Sequence, residues 1–119
     1  MQGRPKILNH GLTVVEFPFL SHVHVSNFII CLFQVVGEKR IILYDSNESE
    51  NLYPHEGSFL SNTAQVNPEE PDYKTFPNYK NSVAWECHLK QGEILYIPPK
   101  WWHHVRSLST SFSVSFWWT

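Results

Sequence analysis

Two adjacent prolines set between two β-prone runs leave this chain few ways to fold. The stretch reads Gly92-Glu93-Ile94-Leu95-Tyr96-Ile97-Pro98-Pro99-Lys100-Trp101-Trp102-His103-His104-Val105-Arg106-Ser107-Leu108. Pro98 and Pro99 fix φ and lack the N–H that a sheet ladder needs, so pairing stops there and the chain turns. The run before them is short, apolar and introduced by the Gln91-Gly92 turn signal. The run after them opens at His103, behind Trp101 and Trp102. Beyond a serine-rich break, residues 112–118 alternate and place Phe112, Val114, Phe116 and Trp118 on one face. Strand, rigid corner and strand imply an antiparallel β architecture.

The rest of the chain agrees with that class. Residues 13–17 read as a strand ended by Pro18, and residues 21–26 alternate polar and apolar like a half-buried strand. Residues 28–36 are almost wholly apolar, as in a strand buried on both faces. Gly37-Glu38 is a hairpin-like turn, and residues 39–44 form the returning strand. Residues 45–81 contain Pro54, Pro68, Pro71 and Pro77 and no helical stripe. They make a long excursion with one short helical turn over residues 46–52, capped by Asp45 or Ser46. Residues 83–89 restore a strand. The predicted fold is mainly β and barrel-like or sandwich-like.

Length and charge narrow the function. At 119 residues there is room for one domain and one modest core. A net charge of -2 and pI near 6.4 give no basic footprint, which argues against a direct grip on nucleic-acid phosphates. The acidic residues Asp45, Glu48, Glu50, Glu56, Glu69, Glu70 and Asp72 read as a solvated loop face. Cys31 and Cys87 lie in apolar runs without a partner at metal spacing, which implies buried free thiols in a reducing, intracellular compartment, nucleus or cytoplasm. No run approaches the ~18 apolar residues of a membrane span. Arg4 and Lys6 have no apolar segment of signal-peptide length behind them.

Four blocks in order then carry a family likeness: residues 34–44 (Gln-Val-Val-Gly-Glu-Lys-Arg-Ile-Ile-Leu-Tyr), Leu52-Tyr53-Pro54, residues 92–106, and Ser113-Val114-Ser115-Phe116-Trp117-Trp118. Together they resemble the JmjC (jumonji C) domain of the cupin superfamily, and within it the lysine-specific demethylase 8, or jumonji-domain protein 5, branch. The resemblance implies a cupin-like double-stranded β-helix, a jelly-roll barrel, incomplete at its N-terminal side. It also implies iron(II), 2-oxoglutarate and dioxygen used to hydroxylate or demethylate a protein or peptide substrate, a histone or another basic protein. The family's metal site is a His-x-Asp/Glu pair and a distant histidine, with open positions for cosubstrate and oxygen. Its distal histidine falls on His103, its first histidine on His24, and its 2-oxoglutarate lysine on Lys39. The carboxylate position falls on Ser26, and a family asparagine falls on Ile30. Residues 34–119 are thus expected to be the C-terminal part of a JmjC domain, and residues 1–33 a non-family segment of retained-intron or variant sequence.

Each candidate also has a plainer reading. His22 and His24 share a strand face, and with His103 they would make a three-histidine site for a divalent metal. Otherwise they are polar residues on a strand. His104 points opposite to His103 and reads as surface. Lys39 is either a buried anchor that needs a carboxylate or a solvated strand-end lysine. Trp101, Trp102, Trp117 and Trp118 read as core or wall, with an aromatic cage as the alternative. Glu86 and His88 mimic a ligand pair but read as exposed strand residues. With Ser26 in place of the acid, the oxygenase reading stands against two others: a non-catalytic cupin-like binding module, or a truncated, unstable product with open sheet edges.

Overall fold

The computed structural model describes residues 10–16, 22–57 and 59–119. Among them eight strands follow in order: β1 (His10–Glu16), β2 (His24–Val25), β3 (Ile29–Val36), β4 (Lys39–Tyr44), β5 (Trp85–Leu89), β6 (Ile94–Ile97), β7 (Trp102–Ser107) and β8 (Phe112–Trp118). They form two four-stranded sheets, β1-β8-β3-β6 and β2-β7-β4-β5. All pairings are antiparallel, and the chain crosses between sheets at nearly every connection. That winding is a jelly roll.

The proline corner joins β6 to β7 as the sequence predicts. Trp101 N–H reaches the Pro98 carbonyl at 3.3 Å, and Lys100 takes the left-handed conformation with φ 66°. Pairing resumes at Trp102, one residue before the expected histidine. The expected strand over residues 21–26 shrinks to His24 and Val25, held between β7 on one side and residues 62–64 on the other. The strand predicted over residues 13–17 is β1, while Phe17 and Pro18 lie outside the described residues, as do Arg4 and Lys6.

One expectation needs correcting. Residues 37–38 do not close a hairpin: β4 leaves the sheet of β3 and pairs with β5 and β7. Gly37, at φ 76°, turns the chain across the edge of the sandwich. Glu38 is then tied to the β7–β8 loop by its N–H to Ser109 Oγ (3.0 Å) and its carbonyl to Leu108 N–H (2.9 Å).

Two apolar layers result. Leu32, Ile41, Leu43, Leu89, Ile97 and Val105 meet between the sheets. Val23, Tyr44, Leu52, Ala64 and Trp102 form a second cluster, where residues 45–81 cover the outer face of the β2-β7-β4-β5 sheet. Alternation along β4 and β7 feeds both, since odd positions face inward and even positions outward. The excursion opens with a 3₁₀ turn (Ser46–Glu48) and the one-turn helix α1 (Ser49–Leu52), where Asp45 caps Asn47 N–H at 2.9 Å. A second 3₁₀ turn spans Pro77–Asn81.

The acidic loop face is not wholly solvated. Glu69 lies against the sheet, accepting from Arg40 Nη2 (2.6 Å), Arg106 Nη2 (2.7 Å) and Arg106 Nε. Arg40 and Arg106 are cross-strand neighbours on β4 and β7, so one carboxylate bridges both strands. His104, expected at the surface, is 1% exposed. It does point away from His103, but that outward face is roofed by the excursion.

Candidate functional site

β2 and β7 place His24 directly opposite His103, and Leu43 of β4 is the next neighbour across. The two imidazoles therefore share the inner face of the sheet. His103 Nδ1 lies 3.4 Å from the Trp101 carbonyl, which can only accept, so Nδ1 carries the hydrogen and Nε2 keeps its lone pair. His24 Nδ1 meets Thr63 Oγ1 at 3.2 Å, and that hydroxyl also approaches Asn62 Oδ1 at 3.3 Å. Burial pushes His103 down to about 4, with the His24 ring adding to the effect. Burial likewise lowers His24, helped by the nearby His22. Both rings are consequently neutral at pH 7, the state in which imidazole binds a cation.

The described residues do not complete an iron(II) site. At Ser26, where the resemblance leads one to expect the carboxylate, Oγ accepts the Phe28 N–H at 3.0 Å. A neutral hydroxyl supplies neither the charge nor the basicity of a facial-triad acid. His22 is exposed and edge-on to His24, with ring centroids 6.1 Å apart. Among the described residues no three His, Cys, Asp or Glu side chains gather closely enough to hold a metal, so the three-histidine arrangement is not formed either.

Lys39 starts β4 at the other end of the same inner face, four residues from the partner of His103, or about 13 Å along the strand. It is fully buried, which removes the reading as a solvated strand-end lysine. Its Nζ donates to Ser113 Oγ of β8, and burial pushes the ammonium down to about 8. The lysine side chain and a five-carbon dicarboxylate can bridge most of the span towards the histidines.

The remaining candidates disperse. Trp101 packs on the inner core, Trp102 sits in the outer cluster with Nε1 donating to Ser49 Oγ (2.8 Å), and Trp117 tilts over Phe28 at 4.8 Å. No cage forms from them. Glu86 and His88 are exposed on β5 and meet Arg40 and Glu38. Sequence reading missed Gln34 and Ser113, both fully buried beside Lys39. The available signal was the polar face of β8, Ser113 and Ser115, inside an otherwise apolar strand.

A model of the cupin-like domain family matches residues 20–119. Lysine-specific demethylase 8 of Xenopus tropicalis is 50% identical over 88 residues, covering 74% of this chain and 20% of that protein. Jumonji C domain-containing protein 5 of Drosophila melanogaster is 45% identical over 97 residues, covering 82% and 24%. Among solved structures, YcfD, a ribosomal oxygenase from Escherichia coli in complex with cobalt and 2-oxoglutarate, superposes with TM-score 0.57 at 20% identity, over 91% of this chain and 23% of that one. Hydroquinone 1,2-dioxygenase from Sphingomonas sp. TTNP3 gives 0.63 at 9% identity, over 97% and 62%. At those identities the likeness is one of fold. The chain spans about a fifth to a quarter of the length of the curated relatives it matches. Jelly-roll winding, the paired histidines, the buried lysine and these matches agree: the chain belongs to the cupin-like domain family, as a JmjC domain.

Proposed function

We propose that this chain is the cosubstrate-binding part of a JmjC-type iron(II)- and 2-oxoglutarate-dependent protein oxygenase, of the hydroxylase or lysine-demethylase class. On its own residues it binds 2-oxoglutarate beside a protein segment without oxidising it. The observation that carries this reading is the contrast between the two ends of the inner face. Lys39 is a buried cation fit for a carboxylate, whereas among the described residues His24 and His103 lack the acid that would hold iron. In the family, iron would supply the oxidising chemistry, which a serine at residue 26 does not support.

The partner is a protein or peptide, a histone or another basic protein, and the setting is intracellular, nuclear or cytoplasmic. Cys31 and Cys87, both unbridged, support the compartment.

Calorimetry with 2-oxoglutarate and an assay for succinate under iron(II) and ascorbate test the proposal together. Binding without succinate is the expected result; succinate at the rate of a working oxygenase overturns it. Ser26→Asp is expected to raise affinity for cobalt(II) at least about tenfold, since a carboxylate joins two imidazoles. The substitution fits locally, because aspartate can accept the same Phe28 N–H. Unchanged cobalt affinity in that variant would mean that residue 26 does not face the histidines.

A further inference from the structure

Lys39 does not meet the barrel wall alone. Its Nζ donates to Ser113 Oγ, Ser113 Oγ donates to Gln34 Oε1, and Gln34 Nε2 donates to the Val36 carbonyl at 2.9 Å. Lys39, Ser113 and Gln34 are all fully buried. They stand on three strands, β4, β8 and β3, drawn from both sheets. The β3–β8 register shifts between Gln34 and Val36, and the Gln34 side chain crosses that irregularity. The Gln34 backbone is fixed as well, its N–H on the Glu93 carbonyl (2.9 Å) and its carbonyl on Gly92 N–H (2.8 Å).

The direction of this chain is forced. An ammonium can only donate and a backbone carbonyl can only accept, so the hydroxyl and the amide between them must each accept from one side and donate to the other. Every dipole in the series then points its negative end toward Lys39, favouring the charged amine in a site whose burial opposes it. We infer that Ser113 and Gln34 are positioning residues for the Lys39 ammonium, holding one of its N–H groups on the barrel wall and so fixing the direction in which it meets a dicarboxylate. The inference rests on the 2-oxoglutarate reading above for its ligand, but not for its geometry. Among the described side chains, those in register with Lys39 are Ser107 on β7 and Leu89 on β5, and neither these nor Ser113 and Gln34 titrate.

The test compares the natural chain with Ser113→Ala, Ser113→Thr and Gln34→Glu, reading the 2-oxoglutarate Kd by calorimetry and the titration of the Lys39 amine by NMR. Ser113→Ala removes an acceptor from the charged amine. The Lys39 titration should move below its natural value, and 2-oxoglutarate affinity should fall about tenfold. Ser113→Thr keeps a hydroxyl and should restore both. Gln34→Glu places an anion at the end of the series, so the titration should rise while dicarboxylate affinity drops, because the internal charge competes. A residue that merely fills space would change stability and leave the Lys39 titration where it was. An unmoved titration in both Ser113→Ala and Gln34→Glu overturns the inference, and should the alanine variant not fold, Gln34→Glu decides it. If the natural chain binds no 2-oxoglutarate, the functional reading fails, whereas the titration still decides the relay.

Discussion

At the level of single residues, the two adjacent histidines of β7 divide the work of the strand. His103 faces inward opposite His24, and its Nε2 is left as a lone pair. His104 faces outward under the excursion, with no hydrogen-bond partner for Nδ1 among the described residues. The sequence made the opposition of the two visible through simple alternation, but not the burial of His104. That burial depends on residues 45–81 folding back, and no local pattern announces it. His104→Ala is expected to cost about 1–3 kcal/mol, the usual range for emptying a buried position, and to leave 2-oxoglutarate binding intact. His104→Leu should recover much of the loss, because it fills the space without burying an unpaired nitrogen. Urea unfolding of both variants checks this; equal stability of His104→Ala and the natural chain would place the ring in solvent. His103→Ala should lower any cobalt(II) affinity.

Among the elements, the strands that were legible are those whose pattern and punctuation agree. β3, β4, β6 and β8 start and stop within a residue or so of their predicted limits, because prolines, glycines and runs of β-branched and aromatic residues mark them. Connectivity was less legible. The short link at Gly37 looks like a hairpin, yet it crosses between sheets, since its partner is the β7–β8 loop and not β3. A Cβ on Gly37 would stand 2.2 Å from the Thr110 carbonyl oxygen and 2.7 Å from Ser111 Cβ, at a backbone φ that disfavours other residues. Gly37→Ala should therefore destabilise by more than about 2 kcal/mol, adding a backbone clash to the strain of positive φ. Gly92→Ala, also at positive φ but in open space, should cost only the strain. Comparable losses at both glycines in thermal unfolding would remove the close approach from the account. The acidic residues of the excursion make it read as solvated, whereas its buried apolar residues, Leu52, Ala64 and Val66, follow no period that would announce them. Glu69 supplies its charged attachment. The Arg106 hydrogen bonds, with Arg40 nearby, hold the Glu69 carboxyl below its ordinary range. A depressed carboxyl contributes stability above its unfolded value and loses it as pH falls through the folded one. Glu69→Gln should accordingly cost about 1–2 kcal/mol at pH 7 and much less in acid. Amide exchange across residues 45–81 should accelerate in the variant; unchanged exchange would show that the apolar cluster alone secures the segment.

For the whole molecule, the buried lysine sets two pH trends against each other. Its folded value, about 8, lies below the ordinary 10.5 because burial disfavours the ammonium. Between those values the unfolded chain binds the proton more readily, so the ligand-free protein gains stability as pH rises from about 8 toward 10.5, and Lys39 contributes no slope below 8. Dicarboxylate binding runs the other way. It needs the charged amine, so 2-oxoglutarate affinity should hold below pH 8 and weaken by up to about tenfold per pH unit above it. Ligand stabilises by mass action, about 2.7 kcal/mol at a hundredfold excess over Kd, which is several degrees of Tm for a domain of this size. The increment that 2-oxoglutarate adds to Tm should thus shrink from pH 7.5 to 9.5 while the Tm of the free protein climbs over the same interval. Lys39→Met should flatten both trends. A ligand increment that persists undiminished at pH 9.5 would place the dicarboxylate elsewhere than against this amine.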